Sequence, residues 1–275
     1  MSGYVPLSTL NRFAISIIRF FLGGIRGEGL VRSLGLARLR SFFYFALMSL
    51  KENQAHSTMV HVNSYFEFGV GCGQSLMSYI DALRTFCRDA KTNIDDYHIF
   101  LFDSFEGLPE KYDFRDDLPC YGKGYFAYDV SYIRKLLANS EMDLSKGNIH
   151  FIKGFFQETL TPALRESLRE HLPGIITVDV DYYSSTKVVL DWLEPVLPSG
   201  AVFYFDDVWS FHGNPGYGEL AAINEFNKCE RGFLTPCHIL SSGEISDSCY
   251  IYSKKVIEVA NVRVEHCGRK SVKEL

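Results

Sequence analysis

Residues 65–75 read YFEFGVGCGQS and predict a buried strand, a glycine-rich turn and the start of a helix. The apolar composition of residues 65–68 is typical of a strand that is covered on both faces. Gly69, Gly71 and Gly73 follow it, and glycines at such a turn let the backbone approach a ligand closely. The spacing G-x-G-x-G is weak evidence for any particular ligand. It nevertheless predicts a binding site at the carboxyl end of the first strand.

Strands and helices alternate along the chain on both sides of this segment. Further strands are predicted at residues 98–102, 148–154, 174–178 and 201–205, and helices at 129–138, 160–171, 186–197 and 217–228. Residues 233–253 are expected to form two antiparallel strands joined around residues 241–243. The pattern predicts an α/β fold of the Rossmann-like, doubly wound type, with a mostly parallel seven-stranded sheet and a terminal antiparallel hairpin.

Composition narrows the class of protein. The 275 residues are 47% hydrophobic and 22% charged, as in an ordinary globular protein. Seven scattered cysteines without a C-x-x-C pair argue against a zinc site and predict a reducing, cytoplasmic setting. Residues 1–51 carry a net charge of +6 and the remainder −11, so we do not expect nucleic acid to bind the bulk of the chain by charge attraction.

The basic amino-terminal segment is predicted to be helical. Residues 9–50 alternate apolar clusters with arginines and are interrupted by glycines, which indicates two or three amphipathic helices. The apolar stretches are too short to span a membrane, and no signal-peptide cleavage site stands out. We expect residues 1–60 to form a lid or dimerisation segment on a catalytic domain of residues 61–275. A helix lying in a membrane interface and a partner-docking segment are the alternatives.

Two acidic clusters follow two of the predicted strands. Asp179 and Asp181 come after residues 174–178, and Asp206 and Asp207 come after residues 201–205. Because ligands bind at the carboxyl ends of such strands, the four carboxylates are expected to converge and to need a cation that offsets their repulsion. Oxygen ligands favour Mg²⁺, Ca²⁺ or Mn²⁺. Taken singly, each cluster could instead cap a helix or lie in a solvated turn.

Two further acids indicate the kind of organic ligand. Glu67 directly precedes the glycine turn, where a carboxylate would repel a diphosphate, so a neutral or ammonium-bearing ligand fits better. Asp103 ends the second strand, where an acid can accept hydrogen bonds from ribose hydroxyls. A nucleoside that carries an amino-acid tail and no phosphate satisfies both observations.

Five segments in order resemble the macrocin O-methyltransferase family of class I S-adenosylmethionine-dependent methyltransferases. They are Glu67 to Ser75, Phe102 to Pro109, Lys153 to Leu160, Asp179 to Thr186 and Phe205 to Asp207. The resemblance covers residues 64–228 and implies a Rossmann-like methyltransferase fold. It also implies transfer of a methyl group from S-adenosylmethionine to a sugar hydroxyl of a natural product, with Mg²⁺ (or Mn²⁺), in an enzyme expected to be a homo-oligomer such as a dimer.

The resemblance also assigns roles to individual residues. It implies that Asp179, Asp206 and Asp207 bind the metal and that Asp181 is the general base, with Asp179 also part of the catalytic and cofactor sites. The remaining cofactor ligands would be Glu67 and the loop residues Gly69, Gly71, Gly73 and Ser75 for the methionine part, Asp103 for the ribose, and Ser104, Phe156 and Gln157 for the adenine region.

The chain departs from the family pattern in two places. Residues 71–74 differ in the cofactor loop, and residues 209–212, Trp-Ser-Phe-His, replace an expected glycine-rich turn. His212 could be a base or substrate contact, although a surface-loop histidine is the simpler interpretation. Three aromatic residues could wall the acceptor pocket or serve ordinary loop packing: Tyr121, Tyr125 and Phe126.

Three rival functions follow from the same residues. A glycosyltransferase could use residues 179–181 to hold a metal that bridges a nucleotide-sugar diphosphate. A phenolic or catechol acceptor would suit the same metal arrangement as a sugar. A non-catalytic membrane-associated binder would depend on the basic amino terminus instead.

Overall fold

The protein is described by a computed structural model that covers residues 24–56, 62–117, 121–140, 146–229, 231–237 and 249–255. Seven strands form one sheet: β1 (Ser64–Phe68), β2 (His98–Asp103), β3 (Ile149–Lys153), β4 (Pro173–Val178), β5 (Val202–Phe205), β6 (Gly232–Pro236) and β7 (Cys249–Lys254). The strand order is β3-β2-β1-β4-β5-β7-β6. Strands β1 to β5 pair in parallel, and β7 is antiparallel to both β5 and β6. The predicted seven-stranded sheet with a terminal hairpin is confirmed, while the predicted join at residues 241–243 lies outside the described residues.

Helices cover both faces of the sheet, as the buried strands require. They are α1 (Gly24–His56), α2 (Gln74–Ala90), α3 (Val130–Ala138), α4 (Phe156–Thr159), α5 (Pro162–Ser167), α6 (Tyr183–Leu193) and α7 (Gly218–Lys228). One face buries alternate strand residues such as Tyr65 and Leu101 against α1, α2 and α3. The other face buries Phe66, Phe102 and Phe203 against α6 and α7. Burial on both faces explains why these strands are almost continuously apolar in the sequence.

The amino-terminal prediction is tested only in part. Between Gly24 and His56 the structure has one continuous helix of 33 residues that is not interrupted at Gly27, Gly29 or Gly35, and residues 9–23 lie outside the described part of the chain, so the number of helices stays a prediction. Glycine costs a helix only about 1 kcal/mol relative to alanine, whereas proline, which is absent from this range, would break it. Phe42, Phe43 and Leu47 are buried against α2 and the sheet. Packing of this apolar stripe therefore stabilises α1 despite its glycines.

Two other predicted helices end earlier than expected. The helix predicted at 160–171 is the shorter α5, which Pro162 begins at its first position, and a separate unpredicted turn of helix, α4, precedes it. The helix predicted at 186–197 begins at Tyr183 and gives way at Glu194 to a short 3₁₀ turn that contains Pro195. Proline cannot donate the helical hydrogen bond, which accounts for the change of geometry. None of the helices in the described part of the chain is long and apolar enough to cross a membrane.

Candidate active site

The carboxyl ends of β1, β2, β4 and β5 open into a cavity of about 780 Å³. Most of the predicted site residues line it: Gly69, Gly71, Ser75, Asp103, Ser104, Phe156, Gln157, Asp179, Asp181, Asp206 and Asp207. Their convergence follows from the parallel sheet, because the ends of neighbouring parallel strands meet at one edge. Gly73 and Glu67 are the two predicted residues that do not line the cavity.

The glycine turn is held between β2 and β4. Gly69 has φ +79°, and a Cβ atom at this position would lie 1.8 Å from the carbonyl oxygen of Asp179. The N–H of Gly69 donates to the carbonyl of Phe102, and the N–H of Asp179 donates to the carbonyl of Phe68, each over 2.9 Å. Only glycine permits this close approach of two backbones. The cofactor loop and the first acidic cluster are thereby joined in one rigid unit.

The other two loop glycines have different surroundings. Gly71 lines the cavity with φ +49°, and a Cβ atom there would meet nothing within 4 Å. Gly73 faces α3, because its Cβ atom would lie 3.1 Å from Cδ1 of Leu136. Gly71 therefore leaves open space in the cavity, whereas Gly73 permits packing of the loop against a helix.

Asp103 fixes the turn from the neighbouring strand. Its Oδ2 atom accepts hydrogen bonds from the N–H groups of Val70 at 2.7 Å and Gly71 at 3.1 Å, and its Oδ1 atom accepts from the N–H of Phe105 at 2.6 Å. Oδ2 thus already accepts two bonds, whereas Oδ1 accepts one and has a second lone pair that could accept a bond from a ligand. Asp103 thus positions the loop in addition to lining the cavity.

Glu67 lies within the sheet layer and is fully buried. The Tyr65 hydroxyl donates to its Oε2 atom at 2.9 Å, and its Oε1 atom has no partner among the described residues. Burial raises the pKa of the Glu67 carboxyl to about 8, an effect opposed by the hydrogen bond from Tyr65. The side chain is thus buried within the sheet beside Tyr65, and a direct cofactor contact remains a prediction.

The pKa of Glu67 predicts a pH-dependent gain in stability for Glu67→Gln. The ordinary pKa of a glutamate is 4.5, and that of Glu67 in the folded protein is about 8. At a pH between these two values the carboxyl group is ionised in the unfolded chain but still protonated in the folded protein. The wild type therefore loses stability as the pH rises through this range. The Gln variant does not titrate. We expect its melting temperature to exceed that of the wild type by a margin that grows to several degrees between pH 5 and pH 8.

Melting curves in EDTA without cofactor measure this effect. Glu166→Gln, which changes an exposed glutamate, is the matched control and should show no such trend. A difference in melting temperature between Glu67→Gln and wild type that stays constant with pH would contradict the raised pKa of Glu67.

Three carboxylates form a group suited to a metal ion. Asp179, Asp206 and Asp207 each offer an oxygen, and these atoms lie within 4.8 Å of one another. Burial, followed by repulsion from Asp206 and Asp207, raises the pKa of the Asp179 carboxyl well above its ordinary value. Burial and the Asp206 charge also raise the pKa of Asp207, to about 6. Such a group gains stability from a cation that offsets the repulsion.

Asp181 lies beside this group on the same turn. It is buried, its backbone has φ +59°, and its N–H donates to Oδ2 of Asp207 at 3.2 Å. Burial, with repulsion from Asp207 and Asp206, raises the pKa of its carboxyl to about 8. A non-glycine residue in the left-handed region costs about 1–3 kcal/mol and is often found at functional sites.

Two residues that were not predicted to belong to the site contact Asp206 and Asp207. The hydroxyl of Tyr204 donates to Oδ1 of Asp206 at 2.6 Å, and Oε2 of the fully buried Glu219 accepts from the N–H of Asp207 at 2.9 Å. The two-residue spacing of Tyr204 and Asp206 on one strand is a signal that could have been used. Glu219 offers no such signal, because α7 brings it to the site from twelve residues away in the chain.

Three of the further residues that line the cavity were not predicted to belong to the site. Arg38 and Leu39 come from α1, and Trp209 follows Asp207 by two residues. The aromatic residues predicted as a possible wall, Tyr121, Tyr125 and Phe126, also line the cavity. His212 is exposed and does not line it, as expected of a surface-loop histidine.

Comparisons with known proteins agree with this geometry. The family model of macrocin-O-methyltransferase (TylF) matches residues 65–231. Among solved structures, the O-methyltransferase NovP has a TM-score of 0.56 at 19% identity, with 79% of each chain covered. The calicheamicin methyltransferase CalS11 has a TM-score of 0.56 at 21% identity, with 92% of this chain and 94% of that chain covered.

The two solved structures share the fold of this protein, and no curated protein matches its sequence. The family match spans more than half of the chain and contains the glycine loop, Asp103 and both acidic clusters. This chain therefore belongs to the macrocin O-methyltransferase family and is an S-adenosylmethionine-dependent O-methyltransferase.

Proposed function

We propose that the protein methylates a hydroxyl of a sugar, free or attached to a natural product, and that it does so with Mg²⁺. The observation that carries this proposal is the group formed by Asp179, Asp206 and Asp207, which lies in the same cavity as the glycine loop. A metal there would be next to the donor site. That arrangement is what transfer of a methyl group to a weakly nucleophilic hydroxyl needs.

The residues present fit a hard divalent cation. All three candidate ligands are carboxylates, and oxygen donors suit Mg²⁺ or Mn²⁺ better than zinc or copper. Among the described residues that line the cavity, Arg38 is the single basic side chain, against five aspartates. The cavity is therefore strongly acidic, which supports a cation and disfavours a diphosphate.

The cavity also fits the cofactor. We infer that the loop of residues 69–75 holds the methionine part and that Asp103 accepts a hydrogen bond from a ribose hydroxyl. The open space beside Gly71 supports the first assignment, and the lone pair left on Oδ1 of Asp103 supports the second. Ser104, Phe156 and Gln157 would border the adenine.

Bound S-adenosylmethionine would supply the methyl group, and bound Mg²⁺ would lower the pKa of the acceptor hydroxyl. Asp179, Asp206 and Asp207 would hold the metal, with Asp206 oriented by Tyr204 and Asp207 by Glu219. We infer that Asp181, whose N–H donates to Asp207, would take the proton of the hydroxyl.

The amino-terminal helix α1 contributes to the wall of the cavity. Arg38 and Leu39 line the cavity, while neighbouring residues such as Phe43 are buried in the core. We infer that the part of the predicted lid in α1 acts as a permanent wall. Dimerisation or peripheral membrane contact through residues 1–60 stays a prediction.

A methyl-transfer assay tests the proposed function. Labelled S-adenosylmethionine is incubated with the protein and either a panel of 4-nitrophenyl glycosides or a catechol, with Mg²⁺ or with EDTA. We expect labelled glycoside in Mg²⁺ only. Label in catechol alone would contradict the sugar assignment, and undiminished activity in EDTA would contradict the metal.

A thermal-shift measurement distinguishes the proposed methyl transfer from the glycosyltransferase alternative, which the family assignment does not favour. S-adenosylhomocysteine should raise the melting temperature, since a ligand that binds only the folded state stabilises it. Stabilisation by uridine diphosphate with Mn²⁺, and none by S-adenosylhomocysteine, would overturn the cofactor assignment.

A further inference from the structure

We propose that the indole ring of Trp209 is the acceptor platform, which stacks on the apolar face of the sugar ring and determines which hydroxyl reaches the metal-binding carboxylates. This inference rests on the proposed function, because it assumes a sugar acceptor. It assigns a specificity-determining role to a residue at which the chain departs from the family pattern.

Trp209 belongs to the same short turn as a proposed metal ligand. Ser210 closes this turn, since its N–H donates to the carbonyl of Asp207 at 3.0 Å and its Oγ donates to Oδ1 of Asp207 at 2.7 Å. The ring of Trp209 lines the cavity, and 52% of the residue is exposed. Any acceptor hydroxyl placed at the carboxylates must therefore lie near this ring.

The indole ring is held in place by the backbone that follows it. Gly213 has φ +70°, and a Cβ atom there would lie 2.3 Å from Cζ3 of the Trp209 ring. The N–H of His212 donates to the carbonyl of Trp209 at 2.9 Å. One edge of the ring thus packs against Gly213, while about half of the residue remains exposed at the cavity wall. A fixed, exposed aromatic face binds a partner with little loss of side-chain entropy.

Exposure alone would not support this role, because single exposed apolar residues are normal on protein surfaces. Tyr112 and Phe114 are each 72% exposed and do not line the cavity. Trp209 differs because its open surface adjoins the site of the reaction. A sugar ring has C–H groups on its faces and hydroxyls at its edge. Stacking the C–H face on the indole leaves the edge free to reach the carboxylates.

The rings that line the cavity from the loop after β2, Tyr128 among them, are placed differently. Tyr121, Tyr125 and Phe126 form a cluster with ring centroids 5.0 to 6.3 Å apart. They belong to a loop that is tied to the end of β2 through the N–H of Leu108, which donates to the carbonyl of Tyr125. Their position does not depend on the metal-binding turn. Trp209 is therefore the aromatic residue that can set the register of a sugar at the metal.

The test compares Trp209→Phe and Trp209→Ala with wild type on the 4-nitrophenyl glycoside that wild type methylates best. We expect Trp209→Ala to raise the acceptor KM about 10-fold, the effect of one aromatic contact. Trp209→Phe should retain part of the affinity. The KM for S-adenosylmethionine and the Mg²⁺ requirement should not change. NMR of the product should show methylation spread over more than one hydroxyl in the Ala variant.

Fluorescence gives a readout that does not depend on activity. The chain has two tryptophans, and Trp192 is buried, so an acceptor stacked on Trp209 should alter the emission of the exposed indole. The probe is the methyl glycoside of the acceptor sugar, added with Mg²⁺ and S-adenosylhomocysteine, which has no methyl group to transfer. It should change the emission of wild type but not of Trp209→Phe. Tyr112→Ala, which removes an exposed ring outside the cavity, is the matched control.

The outcomes separate this inference from the proposed function. If wild type methylates a glycoside and Trp209→Ala has the same acceptor KM and the same single product as wild type, the role of Trp209 is overturned and the proposed function is not. A wild type that methylates no glycoside overturns the sugar assignment and the inference with it. Melting temperatures of all variants should match wild type, since the ring is exposed.

Discussion

Asp206→Asn is expected to lower kcat at least about 100-fold at a fixed Mg²⁺ concentration and to raise the Mg²⁺ concentration needed for half-maximal activity. The amide has the shape of the carboxylate but lacks its charge, so the metal loses one of three anionic ligands. The substitution leaves an oxygen that can still accept the hydrogen bond from Tyr204. Asp206 is the most exposed of the three acids, and the fold should therefore tolerate the change.

Three measurements distinguish loss of the metal from loss of the fold. The melting temperature of Asp206→Asn and its stabilisation by S-adenosylhomocysteine should match wild type, while Mn²⁺ binding measured by electron paramagnetic resonance should weaken. Asp191→Asn, on the exposed side of α6, is the control and should change none of these. Normal Mn²⁺ affinity in Asp206→Asn would show that the metal lies elsewhere.

Gly69→Ala is expected to destabilise the fold by more than about 4 kcal/mol or to prevent folding. The new methyl group would lie 1.8 Å from the carbonyl oxygen of Asp179, and neither backbone can move because each is hydrogen-bonded to the neighbouring strand. The positive φ adds strain for any side chain. Yield of soluble protein and urea denaturation measure the effect.

Gly71→Ala is the matched variant within the same turn. Its methyl group would meet nothing within 4 Å, so we expect a loss of only about 1–2 kcal/mol from the positive φ. If Gly71 borders the cofactor, the variant should fold and still show weaker stabilisation by S-adenosylhomocysteine. Equal stability of Gly69→Ala and Gly71→Ala would disprove the close backbone contact.

The sequence predicted best those features that depend on neighbouring residues in the chain. Asp103, Asp179 and Asp206 each follow an apolar strand, and parallel strands bring such positions to one edge of the sheet. The amino-terminal helix was harder to predict, since its glycines suggested breaks. Its continuity depends on burial of residues such as Phe43 against other elements, and tertiary packing of this kind overrides helix propensity.

The alternation of strands and helices and the placement of acids after buried strands were enough to determine the fold and the edge that holds the site, because both are local patterns with a regular period. Only the tertiary structure decided that Glu219 supports Asp207 and that α1 contributes Arg38 to the cavity. These contacts join elements that are distant in the chain, and their geometry is set by how helices pack on the sheet, which no local pattern specifies.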